Sequence, residues 1–109
     1  MIWLHEISYL FGGAFLANAV PHFVSGMMGR SFQSPFAKPP GKGLSSSTVN
    51  VLWGFANFVI AYLLIAQVGD FDIRVADNAI AVGIGVFLLG VLCTRLFGQF
   101  HGGNSPTGS

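Results

Sequence analysis

The chain has 109 residues, of which 52% are hydrophobic and 14% aromatic, while only 8% are charged. A soluble domain carries about 25% charged residues, so five basic and four acidic side chains are too few to coat a water-facing surface. High hydrophobicity excludes intrinsic disorder, and a formal net charge of +1 gives no pull towards nucleic acid, which is not expected as a partner. The composition points to an all-α integral membrane protein with the lipid bilayer as its solvent.

A bilayer core of ~30 Å needs about 20 helical residues. From Ile7 to Gly29 there is no Lys, Arg, Asp or Glu, which predicts a first transmembrane helix over about 4–29. A secretory signal would begin with a basic stretch and end at a small-residue cleavage site. Here the first ten residues hold Glu6 and no cation, and the apolar pattern runs on through Pro21 to Met28, so the helix is expected to be retained. Residues 30–47 form a basic loop rich in Pro and Gly. Pro35, Pro39 and Pro40 prevent a regular helix, Gly41 and Gly43 permit turns, and Phe32 and Phe36 are apolar anchors. Gly41-Lys42-Gly43 is not a P-loop, which requires Ser or Thr after the lysine and a preceding strand. Ser45 to Thr48 supply N-cap candidates for a second helix over 48–68. A third uncharged run, Asn78 to Thr94, predicts a helix over 75–98 if Arg95 snorkels to the interface. Residues 1–100 then make one transmembrane domain, and the Gly-rich stretch 101–109 is expected to be a disordered polar tail.

Positive charge sets orientation. Arg30, Lys38, Lys42 and Arg95 fall on one side, against Arg74 alone among Asp70, Asp72 and Asp77 on the other. The expectation is an outside N-terminus and a cytoplasmic C-terminus. Trp3 and Tyr9 would then lie near the outer interface and Trp53 near the inner one.

Polar side chains inside the spans carry the most information, because they are costly unless paired. Asn18 and His22 are four apart and share a helix face, as do Asn50, Trp53 and Asn57 at spacings of three and four. With a rise of ~1.5 Å per residue, His22 falls roughly 10 Å to the cytoplasmic side of its midpoint, near the depths of Asn50 and Trp53. Antiparallel helices would bring Asn18 opposite Asn57, and His22 opposite Asn50 or Trp53. Pro21 deprives the Ala17 carbonyl of its helical partner, so a bend or niche is expected beside His22. Two readings follow: hydrogen-bonded glue between helices, or a binding site for a small solute, proton or lipid formed by Asn18, His22, Asn50, Trp53 and Asn57. Arg30, Lys38 and Lys42 are candidates for an anionic lipid headgroup, or simply topology signals.

No metal site, cofactor or catalytic residue is indicated. His5, His22 and His101 are dispersed, and Cys93 is the only cysteine. His5-Glu6 are helix neighbours that point apart, and Ser25 three residues after His22 is a common spacing. Gly13 with Ala17, Ala79 with Gly83 and Ala81 with Gly85 are small pairs that allow close helix packing.

The stretches NAVPHFVSG (Asn18–Gly26), SPFAKPPGKGLSS (Ser34–Ser46) and VNVLWG (Val49–Gly54) resemble a family of small bacterial integral membrane proteins of unassigned function. The resemblance covers the first half of the chain and implies that the first hairpin is a unit. It implies no activity. The resulting expectation is a small multi-pass protein of the bacterial cytoplasmic membrane. It would act as an accessory or assembly subunit or a homo-oligomer rather than an enzyme, with transport or binding of a small solute, proton or lipid as the alternative.

Overall fold

A computed structural model of the protein describes residues 2–104. Three of its helices are long and apolar enough to cross a membrane. In chain order the elements are helix α1 (Ile2–Met27), strands β1 (Phe32–Gln33) and β2 (Leu44–Ser45), helix α2 (Ser47–Tyr62), a π-helical turn (Leu63–Gln67) and helix α3 (Ala76–His101). Lipid offers no partner to a free peptide group, so helices are the form such apolar runs take. The longest dimension, 46 Å, matches a bilayer of about 40–45 Å with its headgroups.

α1 is the central element. α2 and α3 both pack along it and scarcely touch each other. Burial follows this order: 33% of the apolar window of α1 is buried within the chain, but only 11% of that of α3. Small residues set the close approach. A Cβ on Gly85 would run into the Leu10 carbonyl oxygen, and one on Gly13 into the Val82 carbonyl oxygen, so α1 and α3 touch backbone to backbone. On the α2 side, a Cβ on Gly54 would lie 2.7 Å from the Phe23 backbone nitrogen. Of the small pairs in the sequence, Gly13 and the Ala81–Gly85 pair are buried, whereas a Cβ on Gly83 would meet open space.

Helix ends follow local chemistry. α1 stops two residues earlier than the expected 29. Gly29 takes a left-handed φ of 73°, the Gly29 N–H donates to the Gly26 carbonyl and the Arg30 N–H to the Ser25 carbonyl. This is a Schellman end, which only a residue free of the Cβ penalty makes cheaply. Ser46 caps α2, its Oγ accepting from the Val49 N–H at 3.2 Å. At the far end of α2 the π turn is anchored by Ser8, whose hydroxyl donates to the Leu64 carbonyl at 2.6 Å. Asp77 in the first turn of α3 complements the helix dipole.

Two expectations change. The 30–47 loop is not merely a tethered coil. β1 and β2 pair antiparallel, with Phe32 opposite Ser45 and Gln33 opposite Leu44, and Phe32, Gln33 and Ser34 are buried. The hydroxyls of Ser34 and Ser45 bond each other, and the Gly41 N–H donates to the Ser34 carbonyl at 2.8 Å. The loop is thus a short hairpin laid against the helix ends. The second change is at the tail: α3 runs to His101, three residues past the expected 98, so His101 is helical rather than disordered. Helix continuation is favoured there because the His101 ring gains a stacking partner, described below. Residues 105–109 of that tail lie outside the described residues.

The close approach at Gly85 yields a paired test. Gly85→Val should destabilise the protein by about 1–3 kcal/mol, the usual cost of overpacking. Gly83→Ala should leave stability unchanged or raise it slightly, because its Cβ meets nothing within 4 Å. Reversible unfolding in detergent micelles reads both.

Candidate functional site

The polar side chains of the first hairpin meet at the end of the bundle that carries the loop. Asn50, fully buried on the first turn of α2, is the hub. Its Nδ2 donates to the carbonyls of Phe32 (3.1 Å), Ser45 (3.2 Å) and Ser46 (3.1 Å). Three acceptors around Nδ2 fix the amide orientation, so Oδ1 is the acceptor for His22 Nδ1, 2.9 Å away. His22 therefore holds its proton on Nδ1 towards α2. One amide ties α1, the hairpin and the start of α2 together.

Aromatic rings close around this bond. Phe32 and Phe97 each stand edge-on to His22 with centroids 5.5 Å away, and Trp53 does so at 6.3 Å. His22 is left 3% exposed. His101 stacks on Phe32 at 5.1 Å with an interplanar angle of 5°, and its Nε2 meets Gln33 Oε1 at 2.9 Å. α3 thereby contributes Phe97 and His101 to a box otherwise built by α1, α2 and the loop. A groove of about 440 Å³ runs past Pro21, Phe32, Cys93, Phe97 and His101. This is the niche expected beside Pro21, and Phe32 and Phe97 wall His22 off from it.

Two turns deeper, Asn57 repeats the arrangement. Its Nδ2 donates to the Trp53 carbonyl at 2.8 Å and its Oδ1 accepts from Asn18 Nδ2 at 3.1 Å. Asn57 is fully buried, while Asn18 is half-buried. The expected pairs, Asn18 with Asn57 and His22 with Asn50, are both formed. Trp53 joins through its carbonyl and its ring. Its indole Nε1 is the buried side-chain polar atom without a hydrogen-bond partner among the described residues.

The structure does not gather the cations in the same way. Arg30, Lys38 and Lys42 are exposed, and none of them lines the groove beside Pro21. Phe36, expected as an anchor, is exposed and stands edge-on to Trp53 at 5.2 Å, whereas Phe32 is the inward-facing one. Among the described residues, no group of three or more His, Cys, Asp or Glu side chains is placed to hold a metal ion. At the opposite end, Tyr9 is buried edge-on to Phe71 at 5.2 Å, and the Asn78 amide, turned to suit both neighbours, bridges Glu6 Oε1 and the Asp72 N–H.

Sequence reasoning missed Gln33, Ser34, Phe97 and His101 as members of this cluster. The spacing of four between Phe97 and His101 was an available signal, since it puts both rings on one helix face. Nothing local marks Gln33 or Ser34. No family model, no curated protein and no solved structure matches this chain.

The hub predicts an asymmetry between variants. Asn50→Leu strands the His22 N–H and takes the amide from the Phe32 and Ser45 carbonyls, while the Ser46 carbonyl keeps the backbone N–H of residue 50. Each buried unpaired group costs about 1–3 kcal/mol. It should unfold the hairpin and speed tryptic cleavage of the backbone after Lys42, Lys38 being protected by Pro39. His22→Gln keeps a donor for Asn50 and gives up only the ring contacts to Phe32, Trp53 and Phe97, so it should cost less than Asn50→Leu and leave the loop resistant to trypsin.

Proposed function

We propose that this chain is a small non-enzymatic membrane protein that works as an accessory or assembly subunit, or as a homo-oligomer, rather than as a catalyst. One observation carries the reading. The intramembrane polar groups Asn50, His22 and Asn57 are used up in joining α1, α2 and the loop, while α3 is left almost uncovered. Side chains committed to structure do not present a reacting atom, and three helices sharing so little surface gain from further helix packing. The N-terminus faces outward and the C-terminus the cytoplasm of a bacterial cell. The support is the bias of four cations, Arg30, Lys38, Lys42 and Arg95, at one end against Arg74 alone at the other, where Glu6, Asp70, Asp72 and Asp77 lie, together with the resemblance of the first hairpin to small bacterial membrane proteins.

A second reading, a binder or transporter of a small solute, proton or lipid, is favoured by the Trp53 Nε1–H. A buried donor without an acceptor is what a bound carbonyl or phosphoryl oxygen would satisfy. The exposed Arg30, Lys38 and Lys42 would attract an anionic headgroup to the same end.

Native mass spectrometry of the protein extracted with its lipids separates the two. Self-association or a stoichiometric foreign subunit supports the first reading. A bare monomer that carries one small molecule, lost on Trp53→Phe, supports the second. Orientation is tested in a Cys93→Ala background. A thiol-specific reagent should modify Ser46→Cys only from the cytoplasmic side and Asp72→Cys only from outside, and the reverse pattern would invert the topology.

A further inference from the structure

Between α2 and α3 a strip of α1 is left open. Phe11, Ala14, Phe15 and Asn18 line a groove of about 350 Å³ there, bounded across by Leu89 of α3. Phe11 is exposed, and so is Leu4 one heptad before it. Leu4, Phe11, Asn18 and Ser25 thus recur at intervals of seven on α1, the seam spacing of a left-handed helix pair.

Asn18 is the polar side chain of that groove, and its hydrogen bonds are incomplete. The chain of orientation starts at the Trp53 carbonyl, which accepts from Asn57 Nδ2 and so turns Asn57 Oδ1 towards Asn18. Asn18 must then offer Nδ2, and one of its two N–H bonds is spent on Asn57. A primary amide has a second N–H and a carbonyl oxygen. Among the described residues neither the second N–H nor Oδ1 of Asn18 has a partner, and the side chain borders the open groove rather than a sealed interior. At this depth lipid tails supply neither donor nor acceptor.

We infer that the face Phe11–Asn18 of α1 is the contact between two copies of this chain, with the two Asn18 amides paired across a two-fold axis normal to the membrane. The inference rests on the oligomeric reading above and names its surface. The occupant follows from chemistry. Two copies inserted in the same sense place identical residues at identical depth along the axis, so only a self-complementary group can be satisfied there. An amide with one N–H and one oxygen to spare is such a group, and each copy donates to the other. Phe11 supplies the apolar knob one heptad further out.

Disulfide capture in native membranes is the test, using Phe11→Cys in a Cys93→Ala background so that Asn18 is untouched. A crosslinked dimer is expected on oxidation. In nanodiscs, Asn18→Leu should weaken self-association by roughly tenfold, while Asn18→Gln, which keeps donor and acceptor, should retain it. Trypsin resistance of the loop should be unchanged in both variants, which separates the interface from the loss of the Asn18–Asn57 bond. A wild-type dimer that survives Asn18→Leu and gives no Phe11→Cys crosslink overturns this surface but leaves the oligomeric reading standing. A wild-type monomer bound to a foreign subunit overturns it likewise, and a solitary monomer overturns both.

Discussion

The Asn50 amide is the point from which the rest of the structure is held. In water such a side chain would exchange its partners with solvent at little cost. Here it is fully buried, and four groups from three segments converge on it: the His22 ring, and the carbonyls of Phe32, Ser45 and Ser46. The interior lacks competing solvent, so the penalty for leaving any of these unpaired is large even though each bond is modest. That asymmetry makes the hairpin an integral part of the bundle. It also sets the direction in which His22 points, and with it the ring contacts to Phe97 that draw in the end of α3.

The same logic explains why α1 is central. It carries two kinds of surface on opposite sides. Towards α2 it presents polar groups that match polar groups: Ser8 to the Leu64 carbonyl, Asn18 to Asn57, His22 to Asn50. Towards α3 it presents absence of bulk, with Gly13 against Val82 and Leu10 against Gly85. Between apolar helices in lipid there is no hydrophobic drive, so association rests on close packing and hydrogen bonds. α1–α2 uses mainly the second and α1–α3 mainly the first, and α2 and α3 have neither device facing the other.

Legibility in the sequence tracks the range of the forces involved. The three spans are visible because lipid imposes one rule on every residue of a run. The pairs Asn18–Asn57 and His22–Asn50 are visible because depth and a period of 3.6 residues fix where a side chain sits once two helices are antiparallel. The hairpin was not visible. Phe32–Gln33 and Leu44–Ser45 are two-residue strands without alternation to read, and they pair because Asn50 and the buried Ser34 hold the loop inward. His101 reads as part of a tail because the stretch 101–109 is polar and Gly-rich. Its helical state depends on stacking with Phe32, a contact between residues far apart in the chain. The π turn at Leu63–Gln67 likewise answers to Ser8 on another helix rather than to its own residues.

Charge and hydrogen bonding divide the work in this fold. Every Lys, Arg, Asp and Glu lies near a helix end or in a loop, where a formal charge stays hydrated and its value for stability is small. The interior is tied by amides, hydroxyls and carbonyls. An ion pair at the same depth would face a desolvation penalty that its mutual attraction need not recover, and it would bind any nearby opposite charge. Amides make a narrower demand, since each donor requires an acceptor in the right direction. Two helices offering Asn18, Asn57, His22 and Asn50 at matched depths therefore have one register in which all four are bonded, and a shift by one residue breaks both pairs. Specificity of helix pairing in this small protein comes from that directional requirement, and the charges at its ends are left to orient the bundle in the membrane.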